Sequence, residues 1–204
     1  MELIFSILRI AILVFSLCFH EYCHGWAASK LGDPTPKESG RLTLNPLAHI
    51  DLFGTIILPI LLAMTAGFPI GYAKPVPINP NHFKNPKKDI KWIGLSGPMA
   101  NMLLLLVFII LIKINFPFKP FLIYGLIINL IFATINLIPI PPLDGSRVVA
   151  SFLPYKLSRS YLKIEPYGII LVIILIIISF KTGIFRKFIL ISMKAIFNLS
   201  NINI

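Results

Sequence analysis

Apolar residues run almost unbroken from Leu3 to Phe19, and further apolar stretches follow at 52–68, 92–112, 120–138 and 167–180. The first predicts a helix over 3–28, ended by Gly32-Asp33-Pro34, because Gly and Pro break helical runs. Residues 33–50 are polar and read as loop. Residues 69–91 are turn-rich, with Gly71, Pro75, Pro77 and Pro80, and then basic. Residues 184–199 set Arg186, Lys187 and Lys194 among apolar residues, the pattern of a short terminal or interfacial helix. Several stretches approach the roughly 20 residues a helix needs to cross a bilayer. The pattern predicts an all-α polytopic membrane protein of about four to six membrane helices or half-helices, with a re-entrant Gly/Pro-rich loop. We divide it into a core over 1–165 and a C-terminal part over 166–204, a membrane helix followed by the short interfacial helix. No internal repeat is visible.

Composition sharpens this picture. Of 204 residues, 56% are hydrophobic and 13% charged, and the mean hydropathy is +0.85. A soluble domain needs a more polar surface than that. The net charge is +11, but the Lys and Arg cluster between apolar segments, where they set topology and meet anionic lipid. No basic stripe interleaved with aromatics exists, so a nucleic-acid partner is not expected. The lipid bilayer is the expected surrounding. Met1-Glu2 has no basic region after it and no small-residue cleavage site follows the apolar run, so the first helix does not read as a cleaved leader. Nothing in the sequence fixes an oligomeric state.

The first helix ends in His20-Glu21-Tyr22-Cys23-His24. Four helical residues turn about 400°, which leaves His20 and His24 about 40° apart around the axis. Both imidazoles can then reach one metal ion from one face. Glu21 lies about 100° round from His20 and can approach a water on that ion. Two His ligands, an open position and a nearby carboxylate make the hydrolytic zinc arrangement. Ionisable groups at the end of a membrane helix are costly and point to function. The bland alternative is a helix end whose polar groups meet headgroups and water.

A catalytic zinc ion usually has three protein ligands. Only eight acidic residues are present. Most sit in loops; Asp144 ends the 120–138 segment, after Pro139, Pro141 and Pro142 and before Gly145. Such a proline-rich run cannot continue a helix. At membrane depth it is tolerated only where it lines an enclosed or wet cavity. An ordinary Asp-Gly turn explains Asp144 equally well on these grounds alone.

Together, His20-Glu21-Tyr22-Cys23-His24 and Asn136-Leu137-Ile138-Pro139 … Leu143-Asp144-Gly145 resemble the site-2 protease family of intramembrane zinc metalloproteases. Pro69-Ile70-Gly71-Tyr72 is similar to the family's Gly-rich loop, and Ser96-Gly97-Pro98 … Asn101 to the opening of its next helix. The resemblance covers roughly residues 10–150. It implies one zinc ion held by His20, His24 and Asp144, Glu21 as general base, and Asn136 helping to hold the substrate carbonyl. It implies a transmembrane or membrane-anchored peptide as substrate. The PDZ and CBS domains of some members are not seen, and the apolar 52–68 is an insertion relative to the smallest family core.

Sharing one ion constrains topology. The ends of the first and the 120–138 segments must then face one side, so an even number of crossings separates them. Segments 92–112 and 120–138 supply two, and 52–68 should dip in and return around Pro59. That arrangement gathers twelve Lys and Arg, from Lys30 to Lys163, on one side and only Lys113 and Lys119 on the other before the tail. The positive-inside rule puts the twelve-charge side, and the metal site, at the cytoplasm of a bacterial inner membrane.

Other polar residues read more plainly. His49 is a structural or supporting group, and His82 is a solvated loop residue. Asn101 and Asn129 are helix–helix hydrogen-bond partners, and Gly97 and Gly125 permit close helix approach. Cys18 and Cys23, about 140° apart on a helix, do not pair, and Cys23 reads as packing rather than ligand. The Gly/Pro-rich 69–80 is either a plain connector or a strand edge that holds an extended peptide. Three function classes compete: a zinc endopeptidase, a metal transporter with no need of Glu21, and a non-catalytic membrane adaptor.

Overall fold

The computed structural model describes residues 2–57, 60, 61, 64 and 72–200, and among them the chain is helical with no strand. Helix α1 spans Glu2–Lys30. It contains no proline and stops where Gly32 adopts a φ of 105°, a conformation that costs glycine nothing. A single turn, α2, covers Thr35–Glu38, and a 3₁₀ turn covers Pro46–His49. Helix α3 spans Pro86–Lys113. It starts at Pro86, not near residue 92, because proline is pre-set for the first helical position. Lys87, Lys88 and Lys91, expected in a loop, therefore sit on its first turns.

Helix α4 spans Lys119–Asn136. The chain then breaks through Pro139, Pro141 and Pro142, and α5 begins at Asp144 and runs to Phe152. Asp144 thus heads a new helix; the expectation that it ends the 120–138 segment is corrected. Gly145 makes the turn possible: a Cβ there would overlap the Leu137 backbone carbonyl at the end of α4. Helices α6 (Tyr155–Leu162), α7 (Glu165–Lys181) and α8 (Ile184–Ser200) complete the chain.

Three helices, α1, α3 and α4, are long and apolar enough to cross a membrane, and the bent pair α6–α7 makes a possible fourth among the described residues. α3 is the central element, packed against α1, α4 and α5. The apolar core is lined by Leu105 and Ile112 of α3 and by Leu122, Leu126 and Leu130 of α4. Met193 of α8 joins it, with Ile189 and Ile196 beside it, so part of the helix expected at the interface packs on α3 and α4. Ile4, Ile7, Ile10, Leu103, Leu106 and Ile110 are exposed, as suits a surface facing hydrocarbon. Arg9 lies within this apolar region with its guanidinium 6.0 Å from the centre of the Tyr124 ring, a cation–π partner for a charge otherwise out of place.

Eight residues of the segment expected to re-enter, 52–68, lie outside the described residues, Pro59 among them, as do Pro69, Ile70 and Gly71. Its two described ends meet. The Tyr72 amide donates to the Gly54 carbonyl at 3.0 Å, and the Thr55 hydroxyl donates to the Tyr72 carbonyl at 3.0 Å.

Candidate metal centre

Ser16, His20 and His24 follow one another at four-residue intervals on α1 and form one stripe, the two histidines meeting α3 and Ser16 meeting Asn129 of α4. All three are buried. The His20 and His24 Nε2 atoms are 3.0 Å apart. An Asp144 carboxylate oxygen lies 3.1 Å from His20 Nε2, and another contact of 3.2 Å reaches His24 Nε2. Two residues 120 positions apart are thereby brought to one point. These three residues form a group that could hold a metal ion.

Glycine on α3 makes room for it. A Cβ on Gly97 would overlap the Nε2 atoms of His24 and His20, standing 2.5 Å from the latter. One turn earlier, a Cβ on Gly94 would press to 3.0 Å against the Asp144 carbonyl. The two glycines let α1 and α5 converge on α3.

The remaining hydrogen bonds determine which nitrogen of each ring is free. His24 Nδ1 lies 2.7 Å from the Ile93 carbonyl. A carbonyl only accepts, so Nδ1 carries the proton. His20 is settled by a longer chain. Asn129 Nδ2 donates to the Gly125 carbonyl at 2.8 Å and to Ser16 Oγ at 2.9 Å. Its Oδ1 therefore accepts from Asn101 Nδ2 at 2.9 Å. That turns Asn101 Oδ1 toward His20 Nδ1, at 2.6 Å, which must donate. Both Nε2 lone pairs are thus left facing each other and a carboxylate. Such a set repels itself without a cation and suits one with it. Two ligands about 2.1 Å from a tetrahedral zinc ion stand about 3.4 Å apart, within a few tenths of an ångström of the 3.0–3.2 Å seen, so the residues present fit zinc.

Glu21 lies on a neighbouring face of α1. Its Oε2 accepts from the Val76 amide at 3.1 Å. Asn136 is elsewhere engaged: its amide nitrogen donates to the Phe132 carbonyl of its own helix at 3.0 Å. No hydrogen bond joins it to His20, His24 or Asp144 among the described residues.

Sequence reading had Asn101, Asn129 and Gly97 as helix-packing residues. They do pack helices, and they also orient and admit the His pair. Ser16 and the Ile93 carbonyl were missed. Ser16 was findable, one helical repeat before His20 on the same stripe. A backbone carbonyl leaves no sequence signal.

His49 is buried, with Nε2 2.9 Å from the Thr43 carbonyl, a loop tie. His82 departs from expectation. Its Nδ1 lies 2.9 Å from Oδ1 of the fully buried Asp33, so it is paired rather than merely solvated. Burial alone would raise the Asp33 pKa, but hydrogen bonds from Thr35, Asn79 and His82 outweigh it and hold the carboxyl below its usual range. Cys18 and Cys23 are both free thiols, and Cys23 is not in the metal group.

A buried His-His-carboxylate set that could hold a metal ion thus lies among helices long and apolar enough to cross a membrane, with the Glu21 carboxylate on the next face of α1. Peptidase family M50 matches this chain over residues 112–180. A Bacillus subtilis protein named "Putative zinc metalloprotease YwhC" is 33% identical over 177 residues, covering 81% of this chain and 78% of its own. A Mycolicibacterium smegmatis protein named "Putative zinc metalloprotease Rip2" is 29% identical, covering 84% of this chain and 67% of its own. No solved structure matches significantly. The chain belongs to peptidase family M50, the site-2 type of intramembrane zinc metalloprotease. It is an integral membrane enzyme, and membrane-embedded substrates and the bilayer are its setting.

Proposed function

We propose that His20, His24 and Asp144 hold the zinc ion, that Glu21 is the general base, and that the enzyme hydrolyses a peptide bond within a membrane-embedded segment. The observation that carries this is the convergence of two Nε2 lone pairs and one carboxylate within 3.2 Å. Zinc supplies Lewis acidity, lowering the pKa of water and polarising a carbonyl. Glu21 takes the proton of the attacking water and delivers it to the leaving amine nitrogen. Asn136 stabilises the developing oxyanion once its amide turns from Phe132, a role in which one lost donor typically costs about 3 kcal/mol. The scissile peptide must be unwound, since a helix hides its carbonyls in hydrogen bonds. Its sequence is open to direct test.

The meeting of Gly54 and Tyr72 supports the even-crossing topology. With it goes the reading that the twelve-charge side and the site face the cytoplasm, in a bacterial inner membrane. The core over 1–165 carries every group of the site, with 166–204 as supporting C-terminal helices.

The test is mass spectrometry of membrane peptides in cells carrying Glu21→Gln. The variant is expected to retain zinc and to accumulate uncut membrane peptides. Full cleavage with Glu21→Gln would sink the proposal; a transporter would keep its flux in that variant.

A further inference from the structure

A strap of irregular chain over 72–79 crosses α1 at the level of the metal centre, and it is tied at both ends. The Lys74 amide donates to the His49 carbonyl at 2.9 Å. The Asn79 amide donates to the buried Asp33 Oδ2 at 2.7 Å. Between these anchors lies Pro75-Val76-Pro77. Neither proline has an N–H, so Val76 carries the only backbone donor of the three residues. That donor meets Glu21 Oε2 at 3.1 Å. The Val76 side chain is buried, its Cγ1 packed where a Cβ on Gly25 would stand 3.2 Å away. Hydrophobic seating, two anchors and two prolines thus aim one amide at one carboxylate oxygen.

We propose that the Val76 backbone amide is a positioning group for Glu21: it holds the carboxylate by Oε2 and leaves Oε1 to meet the attacking water. This rests on the reading of Glu21 as the base. A charge-assisted hydrogen bond is short and directional. A free Glu side chain samples several rotamers, and misplacement by about 1 Å can lower a rate about a hundredfold. A strap that merely blocked the base would behave oppositely, since loosening it would speed the enzyme.

Two measurements test this on the zinc-loaded full chain in phospholipid nanodiscs. The first is residue-resolved amide exchange and needs no substrate. Glu21→Ala is expected to speed exchange at Val76 about tenfold or more, with Lys74 and Asn79 unchanged. Rapid exchange at Val76 in the unaltered protein, or equal acceleration at all three amides, overturns the contact. The second replaces the Val76 amide by an ester, keeping its side chain, and follows a synthetic copy of a membrane peptide that accumulates with Glu21→Gln. The ester is expected to lower kcat about ten- to a hundredfold with KM and bound zinc unchanged. An ester at Lys74, which loosens one anchor but leaves the Val76 amide in place, should lower kcat by less than the Val76 ester does. An unchanged or raised kcat with the Val76 ester overturns the proposal. If Glu21 is not the base, Glu21→Gln itself retains activity, which separates that failure from this one.

Discussion

His20 Nδ1 and Asn101 Oδ1 are 2.6 Å apart in a fully buried contact between α1 and α3. Asn101 is itself oriented by Asn129, and Asn129 by Ser16 and the Gly125 carbonyl. A polar relay through three helices therefore ends on an imidazole of the proposed zinc site. Partners of this kind set ring orientation and basicity, and losing one typically costs 10–100-fold in metal affinity or activity. Asn101→Leu is expected to weaken zinc binding by about that factor, read by competition with a chromogenic chelator. Asn129→Leu should show a smaller loss, because it acts one step further out.

Gly97 offers a steric test. Its Cβ would occupy the space where the two Nε2 atoms converge. Gly97→Ala is expected to abolish stoichiometric zinc binding while leaving the helical content by circular dichroism unchanged. A variant that binds zinc as tightly as the parent would show that α1 and α3 are not held at this separation.

Removing the metal should change stability as well as activity. A ligand that binds only the folded state at about a thousand times its Kd adds about 4 kcal/mol. Dialysis against a chelator is expected to lower the thermal midpoint and stop cleavage, and added zinc to restore both. Asp144→Asn and His20→Ala should show the low midpoint from the outset and not respond to zinc.

Asp33 sets a pH dependence away from the metal. Its carboxyl is held below the usual range by Thr35, Asn79 and His82, against the opposing effect of burial. A group whose folded pKa is depressed stabilises the fold above its unfolded value, about 3.9, and that contribution fades as pH falls through the folded value. Protection of the Asn79 amide should therefore hold from neutrality to about pH 5 and decline below about pH 4. Asp33→Asn should lose that protection already at neutral pH and flatten the acid limb. Losing hydrogen bonds to a buried charge costs on the order of 1–3 kcal/mol.

Much of this protein was legible in the chain itself. The long apolar segments specify helices because a continuous apolar run of this length satisfies its own backbone groups in hydrocarbon as a helix, whereas barrel strands are short and alternate. The spacing of His20 and His24 places both on one face by helical period alone, and Pro139, Pro141 and Pro142 mark a stretch that regular helix cannot continue through. Boundaries were less legible: proline at Pro86 reads as a breaker until it is seen opening α3.

Only the tertiary structure decided that Asp144 heads α5 and lies 3.1 Å from His20, that Gly97 clears the space between them, and that a lone amide between two prolines reaches Glu21. Periodicity records which face a residue occupies on its own helix. It does not record the distance between helices, which depends on how small residues and buried hydrogen bonds let separate segments approach.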